Sequence, residues 1–322
     1  MITIAGSGLA GLACAYELAR RGAEVTVYEK SARIGEGSVS RYAGGMLAPW
    51  CEAESAEAEV ITLGSRALDW WARITPVVRR GTLVLAPARD RADLTRFAKR
   101  TEAHQVVDEA RIAALEPELA GRFRTGLHFA QEGHLEPRKA LTDLASRVKE
   151  MGVTLHLGTP APAKVTLDCT GMSAPLPGLR PVRGEMAILH APGVEISRTL
   201  RLLHPRIPIY LVPRGDHHFM LGATMVESSA TCPPTLRALS ELMNAAYTLH
   251  PGLAEASVVE VGAGLRPAFA NNLPQLVWQD GTLFLNGLYR HGFLLAPAMA
   301  TRTAEMLIPE TENADHRERR TA

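Results

Sequence analysis

The sequence predicts an α/β protein in which a domain with a parallel, helix-covered sheet is interleaved with an α+β domain that carries a mostly antiparallel sheet. Two observations lead to this prediction. Strands and helices alternate in the first and last parts of the chain, which favours a parallel sheet. Between about residues 183 and 261, short strand-like runs and hairpin turns follow one another, which favours an antiparallel sheet.

Composition and charge narrow the class of protein. The 322 residues are 46% hydrophobic, enough for one large or two moderate domains. The 35 basic and 34 acidic side chains nearly cancel, so the sequence gives no reason to expect a nucleic acid or a membrane surface as a partner. No apolar run reaches membrane-spanning length and the chain enters a strand at once, so we expect a cytoplasmic protein without a signal peptide. The four cysteines are scattered, and we expect reduced thiols and no metal site.

The N-terminal unit has the order strand, glycine turn, helix, strand. Residues 1–5 (MITIA) predict a buried strand, residues 12–21 (LACAYELARR) an apolar-periodic helix, and residues 24–28 (EVTVY) a second strand. The turn at residues 6–11 reads Gly-Ser-Gly-Leu-Ala-Gly. A glycine motif alone is weak evidence, but here it stands in the strand–turn–helix–strand context of a Rossmann-like dinucleotide site. The alternative is a glycine-rich turn in some other α/β unit.

Each glycine of this turn has a physical role in such a site. Gly6 allows the tight turn, Gly8 leaves the backbone open to a pyrophosphate, and Gly11 lets the helix lie close to the strand. The start of the helix offers backbone N–H groups and a positive dipole end to the phosphates. Glu29 follows Gly11 by 18 residues, where a carboxylate can accept hydrogen bonds from the ribose hydroxyls.

The later elements continue both patterns. A helix is predicted from about residue 60 to 74, with its buried face formed by Leu63, Ala67, Trp70 and Trp71. Further strands are predicted at 81–86, 126–129, 153–157, 165–171, 186–190, 209–212, 219–222, 257–261 and 282–285. Further helices are predicted at 89–103, 108–115, 137–151, 235–249 and, after a glycine-punctuated turn at 287–297, at 298–307. The polar segment 309–322 is predicted to be a disordered tail.

Two loops after the second strand are candidates for ligand contact. Residues 30–35 turn back toward the predicted ligand, and Arg33 there could pair with a phosphate or merely cap the turn. In the stretch at 43–49 (AGGMLAP), adjacent glycines among small residues predict either a backbone that approaches a flat ligand or a simple loop.

Several motifs occur in one order along the chain. Besides the glycine turn they are AGGMLAP at 43–49, IYLVPR at 209–214, LGATM at 221–225, GLRP at 264–267 and RHGFLLAP at 290–297. Together they resemble the D-amino-acid-oxidase family of FAD flavoenzymes, and within it the glycine oxidases of thiamine biosynthesis. The resemblance covers nearly the whole chain except the tail.

The resemblance implies a D-amino-acid-oxidase-like fold that binds FAD noncovalently. A Rossmann-like FAD-binding domain would consist of residues 1–75, 127–182 and 262–308, and a substrate domain of residues 76–126 and 183–261. The cofactor contacts that it implies are Gly6, Ser7, Gly8, Leu9, Ala10, Gly11, Glu29, Lys30, Arg33, Ala43, Gly44, Gly45, Met46, Leu47, Thr170, Gly171, Arg290, His291, Gly292, Phe293, Leu294 and Leu295.

The resemblance also implies a substrate pocket above the flavin ring. Arg290 would bind the substrate carboxylate as a fork and Tyr210 would donate its hydroxyl to the same group, while Arg266 lies nearby; Met225 and Met46 would line the pocket. A planar guanidinium matches a carboxylate bidentately, which a lysine cannot do. Outside these motifs, the two arginines would be read as surface ion pairs and the tyrosine as a core residue.

The sequence departs from the family pattern near the adenine end. The family carries a longer β-meander where this chain has only residues 153–168, with Gly-Thr-Pro-Ala-Pro-Ala at 158–163. The family's alanine–threonine–glycine turn is replaced by Cys169-Thr170-Gly171. The adenine contact in this region is therefore left open.

The implied activity is oxidation of glycine or another small amino acid. Its imine product would hydrolyse to glyoxylate or pass to thiazole synthase, and dioxygen would be reduced to hydrogen peroxide. Three alternatives stay open: a dehydrogenase of the same fold with a different electron acceptor, a D-amino-acid or sarcosine oxidase, and a flavin-binding scaffold with little turnover. The sequence leaves the oligomeric state open, a homo-oligomer included.

Overall fold

Two large β-sheets organise the protein, whose structure is a computed structural model that describes residues 1–204 and 208–308. The predicted tail at 309–322 lies outside the described residues. The strands are β1 Ile2–Ala5, β2 Val25–Glu29, β3 Met46–Leu47, β4 Thr82–Leu85, β5 Gln105–Asp108, β6 Thr125–Phe129, β7 Gly133–His134, β8 Thr154–Leu157, β9 Leu167–Asp168, β10 Arg180–His190, β11 Thr199–Leu202, β12 Ile209–Gly215, β13 His218–Gly222, β14 Val226–Glu227, β15 Ser257–Ala268, β16 Gln275–Gln279 and β17 Thr282–Asn286. The helices are α1 Leu9–Arg20, α2 Pro49–Glu52, α3 Ala58–Gly64, α4 Ala67–Trp71, α5 Arg91–Arg100, α6 Glu109–Leu115, α7 Pro137–Glu150, α8 Leu236–Leu249 and α9 Gly292–Leu307.

The first sheet is the predicted parallel one. Its six strands have the order β16-β17-β9-β1-β2-β8, and every pair except the β16–β17 hairpin is parallel. Helix α1 packs against both α7 and α9 and shares a buried apolar core with the sheet. Because the strands are parallel, the carboxyl ends of β1 and β2 meet at one edge, and Gly6 and Glu29 come together there. Ligands of open α/β sheets bind at this edge.

The second sheet is mostly antiparallel, as predicted. Its order is β14-β10-β13-β12-β11-β4-β6-β5, β15 pairs with β10, and only β4 and β11 pair in parallel. Tyr210 of β12 lies opposite Gly222 of β13, which in turn lies opposite Met186 of β10. Arg266 of β15 lies opposite Val182 of the same β10. The sheet therefore holds two predicted site residues, Tyr210 and Arg266, on strands β12 and β15, which are separated by β13 and β10.

The C-terminal helix differs from its prediction. Helix α9 begins at Gly292, six residues before the predicted start, and contains Pro297. Proline has no N–H to donate to the carbonyl four residues earlier, that of Phe293. This carbonyl instead accepts a hydrogen bond from the indole N–H of Trp71 at 2.8 Å. The predicted turn is therefore helical because a tertiary donor replaces the missing backbone donor.

Other elements differ in length or were not predicted. The helix expected at 60–74 is two helices, α3 and α4, although all four side chains predicted to be buried are buried. Strands β10 and β15 are longer than predicted, and β15 reaches far enough to include Arg266. Strands β3, β5, β7, β11, β14 and β16 and helix α2 were not predicted. Within the described residues, no helix is both long and apolar enough to cross a membrane.

The division into two domains stays a prediction, although the two sheets follow it broadly. Strands β6, β10 and β15 run across the predicted boundaries at 126/127, 182/183 and 261/262. The strand ends therefore do not mark those boundaries.

Candidate active site

One cleft connects the glycine turn to the face of the second sheet. Its first part is lined by Gly6, Gly8 and Glu29, and its second part by Tyr210 and Arg266, among others. Both parts share a set of wall residues: Leu9, Val39, Ser40, Tyr42, Gly264, Tyr289 and Gly292. The predicted nucleotide and substrate residues therefore lie along one continuous cavity.

Most of the predicted cofactor and pocket residues line this cleft. Those that do are Gly6, Gly8, Leu9, Ala10, Glu29, Lys30, Ala43, Gly44, Gly45, Met46, Thr170, Gly171, Tyr210, Met225, Arg266, Arg290, Gly292 and Phe293. The structure places the others behind the cleft wall or away from it: Ser7, Gly11, Arg33, Leu47, His291, Leu294 and Leu295. Of these, Leu47, Leu294 and Leu295 are buried in the core, whereas Arg33 is exposed.

The glycine turn has the geometry that a dinucleotide needs. Gly6 has a φ of +94°, and a Cβ added at Gly11 would lie 1.8 Å from the carbonyl oxygen of Gly6. Only glycine at that position lets α1 approach the strand so closely. Gly8 caps the helix without a side chain, so the N–H groups of the first turn face the cleft. The turn therefore fits the pyrophosphate of FAD.

Glu29 is held at the ribose end of the cleft. Its Oε2 accepts a hydrogen bond from the backbone N–H of Ser7 at 2.9 Å, and its Oε1 accepts one from that of Ser31 at 2.9 Å. A carboxylate oxygen can accept more than one hydrogen bond, so both oxygens retain capacity for ribose hydroxyls. Pro160 and Ala161 also line this end. The shortened segment thus supplies a wall where the sequence left the adenine contact open.

The glycine loop at 43–46 is fixed from the second sheet. Arg214 donates from Nη2 to the Ala43 carbonyl at 2.8 Å and from Nη1 to the Leu135 carbonyl at 2.8 Å. Burial lowers the pKa of Arg214 to about 10. Gly45 has a φ of +73°, and a Cβ there would lie 2.2 Å from the Leu135 carbonyl oxygen. The arginine of the IYLVPR motif therefore positions a loop that faces the cleft.

Arg266 presents a guanidinium to the substrate end of the cleft. The group lies over Gly184 of β10, where an added Cβ would be 2.1 Å from Nη2. Nη1 donates to the carbonyl of Thr224 at 3.1 Å. Burial lowers the pKa of Arg266, and among the described residues no carboxylate offsets its charge. Arg266 is therefore a half-buried cation that can accept an anionic partner.

Glu52 is the site residue that sequence reasoning missed. It ends α2, is 4% exposed, and lines the cleft. Its Oε1 accepts a hydrogen bond from the Tyr210 hydroxyl at 2.7 Å, and its Oε2 lies 3.0 Å from Arg290 Nη2 and 3.4 Å from His291 Nδ1. In the sequence it is one of several acids in a run that looks solvent-exposed. No local signal distinguished it.

The pKa of Glu52 reflects these neighbours. Burial alone raises it, but Arg290, His291 and Arg201, together with the hydrogen bond from Tyr210, lower the pKa to about 2. Burial lowers the pKa of His291 to about 4, although Glu52 acts in the opposite direction. Near pH 7 Glu52 is thus an anion and His291 is neutral.

The charges at this end of the cleft nearly cancel. Arg290 pairs with Glu52, and Arg201 lies 3.5 Å from Glu54 and 3.8 Å from Glu52. Glu185 and Arg183 form a further pair, at 3.1 Å. Among the described cations that line the substrate part of the cleft, Arg266 is the one with no carboxylate at ion-pair distance. The site is therefore suited to one anionic group.

Comparison with known proteins confirms the resemblance seen in the motifs. The model of the FAD dependent oxidoreductase family, DAO, matches residues 1–306. A protein of Rhizobium etli named as a thiamine biosynthesis oxidoreductase, ThiO, is 52% identical over 98% of this chain and 99% of its own length. The bifunctional protein ThiO/ThiG of a Nostoc species is 26% identical over 96% of this chain and 53% of its own length. The structure of glycine oxidase from Geobacillus kaustophilus matches with a TM-score of 0.81 and 22% identity, over 97% of this chain and 95% of that one. This chain therefore belongs to the FAD dependent oxidoreductase (DAO) family.

Proposed function

We propose that this FAD-dependent oxidoreductase oxidises glycine or a similarly small amino acid at its amine-bearing carbon. The observation that carries the proposal is the guanidinium of Arg266, which lies in the same cleft as the dinucleotide turn and has no carboxylate partner among the described residues. A cation so placed suits the carboxylate of an amino acid. The named activity of the Geobacillus kaustophilus neighbour, glycine oxidase, supports the same substrate class.

In this proposal the substrate carboxylate binds to Arg266. The sequence assigned that role to Arg290, but Arg290 is already paired with Glu52 at 3.0 Å. Tyr210 donates its hydroxyl to Glu52, so it can serve the substrate carboxylate only by turning that hydrogen away. A guanidinium without a carboxylate partner gains more from a substrate carboxylate than one that must first give up an ion pair.

The chain's own residues would bind and orient the substrate. The fork of Arg266 fixes the carboxylate, and the apolar wall beside it includes Met46, Met186 and Met220. This wall offers no partner to a charged side chain, which favours glycine and other small amino acids. Noncovalent FAD, held by the glycine turn and Glu29, would accept the hydride from the substrate carbon. The proposed products are an imine, which hydrolyses to glyoxylate, and hydrogen peroxide from dioxygen.

A place in thiamine biosynthesis is part of the proposal. The Rhizobium etli relative is named for that pathway, and the Nostoc relative joins ThiO and ThiG in one chain. These names support the handover of the imine to thiazole synthase.

The test is reduction of the flavin by a panel of amino acids without oxygen, followed by peroxide and glyoxylate assays in air. We expect glycine to bleach the flavin and to release peroxide and glyoxylate. If glycine bleaches the flavin but no oxygen is consumed in air, the protein is instead a dehydrogenase that uses another electron acceptor. A flavin that stays oxidised with glycine, sarcosine and small D-amino acids would reject the proposal.

A further inference from the structure

We propose that Glu52 determines how many carboxylates a substrate can have: its side chain occupies Arg290, so the pocket accepts one carboxylate and rejects a second. This inference rests on the proposed function, because it takes Arg266 as the receptor of the first carboxylate. It concerns a residue at the centre of the site that the motifs did not identify.

The carboxylate of Glu52 is fixed in place from several sides. The Tyr210 hydroxyl donates to Oε1 at 2.7 Å, and Oε2 lies 3.0 Å from Arg290 Nη2. His291 reaches Oε2 at 3.4 Å through Nδ1, and its Nε2 accepts from Arg290 Nε at 3.2 Å. Nε2 of His291 is therefore an acceptor, whereas Glu52 Oε2 makes these charge contacts without a hydrogen bond to any of the described residues. Glu52 therefore occupies the position that a second anion would need.

The donors of Arg290 are largely committed to the protein. Nη2 donates to Ser55 Oγ at 2.6 Å in addition to its contact with Glu52, and Nε donates to His291. Nη1 lies 3.7 Å from the Met225 sulfur, which is a weak acceptor. A second substrate carboxylate would have to displace Glu52 or stand beside it. Two carboxylates that share one buried site repel each other.

The charge balance supports the same limit. Arg290 pairs with Glu52 and Arg201 lies within 4 Å of both Glu52 and Glu54, whereas the charge of Arg266 has no carboxylate partner among the described residues. One substrate carboxylate neutralises it, and a second would leave a buried negative charge without a partner. Replacing Glu52 by glutamine keeps the shape of the side chain and leaves Arg290 without its anion. In the variant, Arg266 and Arg290 can then each bind one carboxylate.

The experiment compares acetate and malonate as ligands of the FAD-bound protein. Each is titrated against the visible absorbance of the flavin, in wild type, Glu52→Gln and Glu54→Gln. Glu54→Gln is the matched control, because it removes the same charge nearby but leaves Arg290 paired with Glu52, and Arg201 also keeps its contact with Glu52 at 3.8 Å. In wild type we expect malonate to bind no more tightly than acetate. In Glu52→Gln we expect malonate to bind roughly tenfold or more tightly than acetate, the effect of one added charge-assisted hydrogen bond.

Three results would overturn the inference. They are a wild-type protein that already prefers malonate, a Glu52→Gln protein that keeps the wild-type order, and an equal change in both variants, which would indicate a general effect of charge. If Glu52→Gln does not retain flavin, the wild-type titration decides alone: a tenfold preference for malonate overturns the proposal and the opposite order supports it. Reduction of the wild-type flavin by glycine tests the proposed function separately. An enzyme that oxidises glycine but shows no selectivity between the anions would reject only this inference.

Discussion

The contact between Gly184 and Arg266 gives a sharp test of the proposed carboxylate site. A Cβ at position 184 would lie 2.1 Å from Nη2, 2.2 Å from Cζ and 2.4 Å from Nη1 of Arg266. Real Cβ contacts are never this short, so Gly184→Ala must displace the guanidinium. The backbone itself has no reason to move, because Gly184 lies within β10 and its φ is not positive. The substitution therefore moves the head group of Arg266 without changing its charge.

The expected loss of affinity follows from the hydrogen bond to the ligand carboxylate that the displaced guanidinium can no longer make. A hydrogen bond to a charged group is worth about 1.5–3 kcal/mol, so acetate affinity and catalytic efficiency for glycine should fall roughly tenfold to more than a hundredfold. Stability should be unchanged or higher, because alanine within a strand is favoured over glycine by about 0.5–1 kcal/mol. Affinity and stability thus change in opposite directions, which a general disruption of the fold would not produce.

The assay is acetate titration of the bound flavin, with flavin content and thermal unfolding measured on the same samples. Gly193→Ala is the matched control: it is also a glycine-to-alanine change, but its Cβ meets nothing within 4 Å. We expect the control to bind acetate like wild type. Wild-type affinity in Gly184→Ala, with full flavin content, would refute the placement of the receptor over this glycine.

Three further predictions follow from single contacts. Gly8→Val should abolish FAD retention while the protein still folds, because Gly8 lines the cleft and a Cβ there would contact only Ser38; full flavin content would contradict the pyrophosphate site. Arg266→Lys should lose roughly tenfold or more in catalytic efficiency for glycine, whereas Arg290→Lys, which can still pair with Glu52, should lose less. The reverse order in steady-state kinetics would indicate that Arg290 binds the substrate carboxylate. Burial raises the pKa of Glu132 to about 8, so between about pH 4.5 and 8 the folded state binds more protons than the unfolded state, and the free energy of unfolding falls as the pH rises. Urea unfolding at pH 5 and pH 8 should show a smaller fall in this free energy for Glu132→Gln than for wild type, whereas equal falls would argue against a protonated Glu132.

Structural features that depend on residues close together in the sequence could be predicted from it. The roles of Gly6 and Gly11 depend on a strand, a turn and a helix that follow each other directly, so the spacing alone identified them. Tyr210 and Arg266 were identified by their motifs, and the structure brings both to the cleft. Their hydrogen-bond partners were not predictable, because those partners lie far away along the chain.

Buried charge is where sequence reasoning failed. Strand β11 was not predicted, and the structure buries two arginines there: Arg198, just before the strand, and Arg201 within it. Arg198 pairs with Glu116 at 2.7 Å and Arg201 lies between Glu52 and Glu54. An arginine is normally exposed unless it is paired, and the pairing partners here come from other elements. The apolar pattern of such a strand is interrupted by residues that are charged and yet buried.

The position of Glu52 couples the cofactor and substrate ends of the cleft. The same short segment begins with the glycine loop at 43–46, which Arg214 fixes, and ends with Glu52, which pairs with Arg290. Arg290 in turn lies two residues before α9, whose first residue, Gly292, lines both parts of the cleft. A change that shifts the glycine loop would therefore also shift the anion that balances Arg290. Flavin content and anion affinity must for this reason be measured together in every variant of this segment. A loss of anion affinity reports on the carboxylate site only where the variant retains its flavin.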